Sequence, residues 1–483
     1  MVIVSPPSSA ILYLENVSDT HPAEIKLESL FNGLEQLCLL NNMNILGLDN
    51  VSERTFSLNP PVEHHQLFEV PQEWLQVKTF LLDYDQPLPP IIVVAGPRKV
   101  GKSTFARFLA NSLLDRYERV AFIDSDPGQT EFMPPGFLTL SIIKSPLLGP
   151  PFSHVGMGIY SHYLGSTGAD ANPLHFFNCA QSLIEEYEKL CERGQRLPLI
   201  VNTMGWITGL GLLLLQAVTQ TLHPTHFFAI CNGESLDDGH ANLPNFVRTT
   251  LYEPVRDLGR IKPRFSPYQP NDRVFVKILK AVEAAGKETN FSFITPKERR
   301  EIMWKAYFHR REPCSDFFYF NNPLTHFEPF RVSWKRIVLL LIPRRERIDL
   351  HQILAILPGC IVGLAGELEN NMLCTNVRGA RVRVASSSDP PPICNAAALV
   401  RAVDPSNQTL EILTPLSLES ITRQKLYTLV LNPEFSIPST LFVNESGTFF
   451  GGPYMSSTST YGGSLVSHGR KVRVNIQRRW QRI

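Results

Sequence analysis

The sequence predicts an α/β protein: a parallel sheet flanked by helices, with a β-rich domain on either side of it. Three observations predict this. Between Ile91 and about Arg311, strand-like apolar runs alternate with helical stretches: IIVVA, KSTFARFLANSLLDRY, RVAFID, PLIVNT, GLGLLLLQAVTQ and HFFAIC. That alternation is the pattern of parallel strands joined by helical crossovers. On both flanks the apolar runs are short, of β-type composition, and broken by Pro, Asn, Asp and Ser. Finally, 483 residues exceed what one hydrophobic core usually spans, so two or three domains are expected.

In chain order, residues 1–85 carry AILYLENV, QLCLLNNMNILGL and TFSL, the runs of a small β-rich N-terminal domain. The stretch DYDQPLPP, ending at Pro90, blocks both helix and central strand and reads as a linker. Residues 86–312 form the strand–helix domain. After PCSDFFYFNNP, the runs RIVLLLI, CIVGLAG, ARVRVAS, NAAALVRAV and TLEILTPL mark a β-rich C-terminal domain over 313–483, closed by a basic tail.

With 46 basic and 45 acidic residues, a nucleic-acid partner must be met by local patches rather than by a global field. The eight cysteines are scattered, with neither a Cys-x-x-Cys pair nor zinc spacing, and read as reduced, buried thiols. No basic stretch followed by an apolar core opens the chain, and its longest apolar clusters, such as LGLLLLQAV, are too short for a bilayer. An intracellular soluble protein without a membrane partner is the expectation.

The string Gly96-Pro97-Arg98-Lys99-Val100-Gly101-Lys102-Ser103 fits G-x-x-x-x-G-K-[ST] and lies between a predicted strand and a predicted helix. This is a phosphate-binding P-loop. The two glycines let backbone N–H groups turn toward phosphate oxygens, and the following helix adds the positive end of its dipole. Lys102 is placed to reach the β- and γ-phosphates, Ser103 to offer a hydroxyl to Mg²⁺, and Thr104 to help hold the α-phosphate. Downstream, VAFIDSDPGQTE puts Asp124 and Asp126 at a strand's carboxyl end, where side chains face the ligand crevice. One carboxylate can orient a metal-bound water and the other can accept a proton from an attacking hydroxyl. Without the loop the same string would read as an acidic turn.

Phosphate and metal do not decide between a switch, a motor and a kinase. Three further strings bear on the acceptor: HYLGST (residues 162–167), TMGW (203–206) and the basic helical stretch KERREIMWKAYFHR (297–310). Together with GPRKVGKST and DSDPGQ, in this order, they resemble the polynucleotide 5′-hydroxyl kinase family of RNA processing over about residues 91–311. Within that family the nucleolar pre-ribosomal-RNA kinases are most similar, because ALVRAVDPSNQTLEILTPL also resembles their distal domain. The form acting in mRNA cleavage and tRNA splicing is more distant, having a single carboxylate-Val-Gly-Gln where this chain has Asp126-Pro127-Gly128-Gln129.

The resemblance implies ATP and Mg²⁺ as cofactors, an RNA bearing a 5′-hydroxyl as substrate, and a nuclear, nucleolar site of action. It also implies a clasp of Thr203, Gly205 and Trp206. Trp206 is then either a stacking platform for the RNA end or a core residue capping the sheet. His162 is either a substrate contact or a satisfied structural histidine. Arg299 and Arg300 lie on the implied lid, where arginine stabilises charge on the transferred phosphoryl group. Lys297, Lys305, Arg310 and Arg311 are nearby alternatives, and a solvated basic helix face is the plain reading.

The last fourteen residues, RKVRVNIQRRWQRI, hold six basic residues and no acidic one. Their alternation suggests an added strand seeking a protein groove or an RNA backbone. The family's pairing with a HEPN-type endoribonuclease in a higher-order complex makes this tail the candidate contact. Two rival readings stand beside the kinase. One is a GTPase-type switch, for which no base-specifying Asn-Lys-x-Asp string exists in the chain. The other is an ATP-binding scaffold without catalysis, against which intact Lys102, Ser103 and Asp126 argue.

Overall fold

A computed structural model describes residues 2–3, 12–13, 70–194, 196–232, 243–255, 259–269, 274–282, 295–310, 324–342, 350–367, 374–386, 389–432 and 439–442. Near the N-terminus β1 (Val2–Ile3) pairs antiparallel with β2 (Leu12–Tyr13). Most of the predicted N-terminal β module lies outside the described residues. Its end differs from the expectation, because residues 72–82, counted in the β-rich stretch, form a helix, α1 (Gln72–Leu82). Trp74, Val77 and Leu81 recur at helical spacing and are buried against α2 (Lys102–Leu113), with the Trp74 and Phe105 ring centroids 4.9 Å apart. The proline-rich linker therefore follows a helix that already belongs to the central core.

That core is a seven-stranded sheet built from β3 (Ile91–Ala95), β4 (Val120–Asp124), β5 (Phe137–Ile143), β6 (Tyr160–Tyr163), β7 (Leu199–Asn202), β8 (His226–Cys231) and β9 (Phe275–Lys280), in the order β6-β5-β4-β7-β3-β8-β9. Strands β4, β7, β3, β8 and β9 are parallel, as the alternating pattern predicts. The other edge departs from it. Without an intervening helix the chain turns back after β4, so β5 pairs antiparallel with both β4 and β6. Both faces are covered, which is why the parallel strands read as unbroken apolar runs. Helices α3 (Pro173–Glu192), α4 (Gly209–Leu222) and α5 (Asn245–Tyr252) pack Phe176, Leu183, Leu214 and Val247 on one face. On the other face α1 and α2 bury Trp74, Phe105, Leu109 and Leu113.

The C-terminal β runs form an eight-stranded sheet from β10 (Phe330–Ser333), β11 (Val338–Leu341), β12 (Ile361–Ala365), β13 (Thr375–Val377), β14 (Ala380–Val384), β15 (Ala396–Asp404), β16 (Thr409–Leu413) and β17 (Thr428–Leu431), ordered β10-β16-β15-β12-β17-β11-β14-β13. It docks on β6 and on α6 (Pro296–His309) through a shared core that includes Phe137, Tyr163, Trp304, Tyr307, Ile361, Leu399 and Val430. Polar bonds fix the seam: Tyr163 Oη donates to the Ile361 carbonyl at 2.9 Å, and Asn432 Nδ2 to the Leu164 carbonyl at 2.9 Å. Among the described residues no helix is long and apolar enough to cross a membrane.

Candidate active site

The P-loop leaves β3 at its carboxyl end and opens α2. Gly96 has φ 146°, and a Cβ there would sit 2.2 Å from the Ile230 carbonyl oxygen on β8, so no larger residue fits. Gly101, at φ 99°, takes the left-handed conformation that lets α2 start at Lys102, with Ser103 and Thr104 half-buried on its first turn. Pro97 is half-buried and Val100 sits in the core shared with Trp74 and Phe105, while Arg98 and Lys99 are exposed, Lys99 with φ 67°. Lys102 is 7% exposed and donates from Nζ to the Pro97 carbonyl at 2.7 Å. Burial brings its ammonium down to about 8, with Arg98 adding and Asp126 opposing. An arriving phosphate would displace the carbonyl and favour the charged ammonium.

At the end of β4, Asp124 is fully buried. Its Oδ2 accepts from the Glu131 N–H at 2.7 Å, and its Oδ1 from Asn202 Nδ2 at 3.1 Å and from the Asp126 N–H at 3.3 Å. The same Asn202 amide donates to Ser103 Oγ at 3.3 Å, so one side chain ties the P-loop hydroxyl to the β4 carboxylate. Asp126 is half-buried, and its Oδ1 caps a turn by accepting from the Gly128 and Gln129 N–H groups at 2.9 and 3.2 Å. Burial, and then the Asp126 charge, pushes Asp124 up to about 8. Burial also raises Asp126, against the Gly128 N–H and Lys102.

The donors suit a hard cation. Ser103, Asp124 and Asp126 offer oxygens only, beside a buried Asn202 Oδ1 that has no protein partner. Among the described residues no group of three or more His, Cys, Asp or Glu could hold a metal by itself. Such a set fits Mg²⁺, which takes few protein ligands and completes its shell with phosphate oxygens and water.

The TMGW segment leaves β7 and crosses above the P-loop. Thr203 Oγ1 donates to the Val94 carbonyl at 2.8 Å, and a Cβ on Gly205 would lie 2.6 Å from Arg98 Cγ and 2.9 Å from its Cα. Glycine is thus required by close approach to the P-loop backbone. Trp206 is half-buried against the α3–α4 core, its ring so close over Gly211 that a Cβ there would lie 2.2 Å from Trp206 Cγ. It is a packing residue on one side, whatever its outer face meets.

His162 is not placed to meet an RNA end. It is fully buried in β6, and its Nδ1 donates to the Pro392 carbonyl at 2.8 Å, across the seam with the C-terminal sheet. Burial lowers its ring to about 4. Its burial and this bond support the structural reading of His162: β6 is the edge strand of its sheet, but the C-terminal segment covers that edge. The segment's far end does reach the site: a Cβ on Gly128 would lie 2.9 Å from the Thr167 carbonyl.

The basic stretch is helix α6, opened by a capping box of Thr295 and Glu298 with Pro296 at its first position. Lys297 pairs with Glu301 at 3.7 Å, and Arg310 donates to the Val155 carbonyl; Arg311 lies outside the described residues. Half-buried Arg300 is lowered by burial and also feels Glu301, Asp126 and Arg98. Arg299 is lowered by burial and by Arg107 instead. Of the two, Arg300 shares the field of the P-loop mouth.

Two features escape sequence reasoning. Asn202 is one, and the only local signal for it is its position at the end of an apolar strand, two strands over from the P-loop's other neighbour. The other is a buried group behind Asp124, in which Glu131 Oε1 lies 2.9 Å from His154 Nδ1 and Glu131 Oε2 lies 3.8 Å from Arg107 Nε. Burial would raise Glu131, but Arg107 and His154 outweigh it and hold the carboxyl below its usual range. The basic tail, residues 470–483, lies outside the described residues.

Comparison with known proteins finds relatives over most of the chain. Residues 96–273 match the model of the mRNA cleavage and polyadenylation factor CLP1 P-loop family. A polynucleotide 5′-hydroxyl-kinase nol9 of Dictyostelium discoideum is 27% identical over 431 residues, covering 81% of this chain and 61% of the relative. The grc3 kinase of Emericella nidulans is 26% identical over 76% of this chain and 44% of its own length. For NOL9 of Danio rerio the figures are 27%, 77% and 50%. The chain thus spans roughly two-fifths to three-fifths of the length of these relatives. A solved Clp1p–Pcf11p structure aligns with a TM-score of 0.51 at 14% identity, over 77% of this chain and 83% of that one, a likeness of fold. Over residues 96–273 the chain matches the CLP1 P-loop family, and over most of its length it is similar to the polynucleotide 5′-hydroxyl kinases named nol9 and grc3.

Proposed function

We propose that this chain transfers the γ-phosphoryl group of ATP to the 5′-hydroxyl of cleaved RNA during pre-ribosomal-RNA processing in the nucleolus. The observation that carries the reading is the convergence of Lys102, Ser103, Asp124 and Asp126 at one crevice, within a chain homologous to kinases of that name. The reading assigns the catalytic domain to residues 86–312. Loop N–H groups and Lys102 hold the phosphates, and Ser103 with Asp124 would hold Mg²⁺, which offsets phosphate charge. Asp126 accepts the proton of the 5′-hydroxyl as its oxygen bonds to the γ-phosphorus. The bond from that phosphorus to the bridging oxygen breaks, and ADP leaves. Arg300, with Arg299 behind it, faces the charge in transfer, while Thr203, Gly205 and the outer face of Trp206 border the acceptor. Positioning and electrostatics supply most of the acceleration in such reactions.

The partner that fits the reading is a HEPN-type endoribonuclease, whose cleavage would leave the 5′-hydroxyl and whose contact would be the tail from Arg470 to Ile483. That tail's support is its sequence: six cations interleaved with Val472, Val474, Ile476 and Trp480. Purified protein with γ-labelled ATP or GTP and 5′-hydroxyl oligonucleotides of both sugars tests the activity. ATP should label RNA, and the double change Lys102→Ala with Ser103→Ala should abolish labelling; transfer that survives it would place the reaction elsewhere.

A further inference from the structure

We infer that Asn202 is a positioning residue of the metal–nucleotide site, holding Ser103 and Asp124 in register and offering its own carbonyl oxygen to a metal-bound water. This rests on the nucleotide and Mg²⁺ reading given above. Asn202 is the last residue of β7, 1% exposed, directly between β3 with its P-loop and β4 with its carboxylate. Its amide nitrogen has two N–H groups, and both are committed: one to Asp124 Oδ1 at 3.1 Å, the other to Ser103 Oγ at 3.3 Å. The main chain that carries this side chain is fixed from behind, because the backbone carbonyl of Asn202 accepts from both the Ser125 N–H and Ser125 Oγ, at 3.0 and 2.9 Å.

The consequence for Ser103 is geometric. A hydroxyl oxygen has two lone pairs; with one occupied by the Asn202 N–H, the other and the O–H bond are left to face the crevice. A serine hydroxyl otherwise rotates freely, so the amide converts it into a ligand with one available direction. The flipped amide would set Oδ1 against the Asp124 oxygen that already accepts the Asp126 N–H, an unfavourable contact once that carboxylate faces a metal. In the assigned orientation Oδ1 is buried without a protein partner, one of few such atoms at the site. A buried amide oxygen left unpaired is destabilising, and a water in the metal's shell is the donor the crevice would supply. Outer-shell partners of this kind typically change metal affinity by about 10- to 100-fold.

The test is the coupling between metal and nucleotide, read without catalysis. The Kd of a fluorescent non-hydrolysable ATP analogue is measured with Mg²⁺ and with EDTA, for the full chain and for Asn202→Ala. The inference expects Asn202→Ala to bind as the parent does in EDTA but to lose about tenfold or more of the Mg²⁺ enhancement. If the EDTA affinity also collapses, Asn202→Ser, which keeps one donor, takes its place and should lose part of the enhancement. An unchanged Mg²⁺ enhancement in either variant overturns the inference, as does an equal loss with and without metal in both. A parent protein that shows no Mg²⁺ enhancement overturns the metal reading itself, which separates the two failures.

Discussion

Tyr307 and Ala397 exchange two hydrogen bonds across the seam between the two sheets: the Ala397 N–H donates to Tyr307 Oη at 2.6 Å, and Oη donates to the Ala397 carbonyl at 3.2 Å. Tyr307 lies on α6, two turns beyond Arg299 and Arg300, so the C-terminal sheet anchors the helix that presents those cations. The basic face of α6 is thereby set by packing at its far end, with Trp304 and Phe308 in the same shared core.

Tyr307→Phe should therefore destabilise the protein by about 1–3 kcal/mol, because it strands a buried N–H while removing no ring packing. The Ala397 carbonyl keeps a donor in Thr414 Oγ1, at 2.9 Å, which limits the loss. Chemical denaturation measures it. A change within a few tenths of a kcal/mol would mean that the seam does not depend on this pair.

Gly205→Ala should weaken nucleotide binding by about tenfold or more, since its Cβ would meet Arg98 Cγ at 2.6 Å and the Arg98 backbone at 2.9 Å. The P-loop backbone must move to accept it. Gly209→Ala, where nothing lies within 4 Å, is the control. Its φ of 55° adds local strain without touching the loop, so nucleotide affinity should stay near that of the parent. Equal affinities for the two variants would contradict the close approach.

Nucleotide binding should take up a proton in mildly alkaline solution. Burial brings free Lys102 down to about 8, whereas a phosphate beside it would favour the charged form and raise it again. Affinity should then be level below about pH 8 and fall by up to about tenfold per unit above it. Calorimetry at pH 9 in two buffers of different ionisation heat gives the proton count directly. Binding with no proton exchange at that pH would show that Lys102 stays charged when free.

Arg300→Ala should lower turnover by about 10²–10³-fold with nucleotide affinity little changed, as for loss of a group that meets charge developing in the transition state. Arg299→Ala should cost less, because its electrostatic neighbour is Arg107 rather than Asp126. Steady-state kinetics on both variants distinguish them. A larger effect at Arg299 would reverse the two roles.

Much of this was legible in the chain because it is local. The P-loop, four of the five parallel strands and the Asp124–Asp126 turn each follow from contiguous residues whose spacing carries the chemistry; β9 (Phe275–Lys280) was not singled out. What depends on long-range packing was not legible. His162 sits in a string that the resemblance ties to substrate, yet its Nδ1 partner, Pro392, lies 230 positions away. Asn202 reads as the polar end of a strand until β7 falls between β3 and β4. The helix at residues 72–82 was hidden by its prolines on either side and by a single apolar stripe, which only the face of α2 completes. The antiparallel return of β5 leaves no mark in its own composition, since a buried strand reads alike in either direction.

The most direct measurement is the position of the label after incubation with γ-labelled ATP and a 5′-hydroxyl RNA, for the parent chain and for Asp126→Asn. The product is digested to mononucleotides. All label should be recovered in the 5′-terminal nucleoside 5′,3′-bisphosphate or 5′-monophosphate, and Asp126→Asn should bind the nucleotide normally while transferring at least about 10²-fold more slowly. Label released only as inorganic phosphate, or parent-level transfer by Asp126→Asn, would contradict a 5′-hydroxyl kinase with Asp126 as its base.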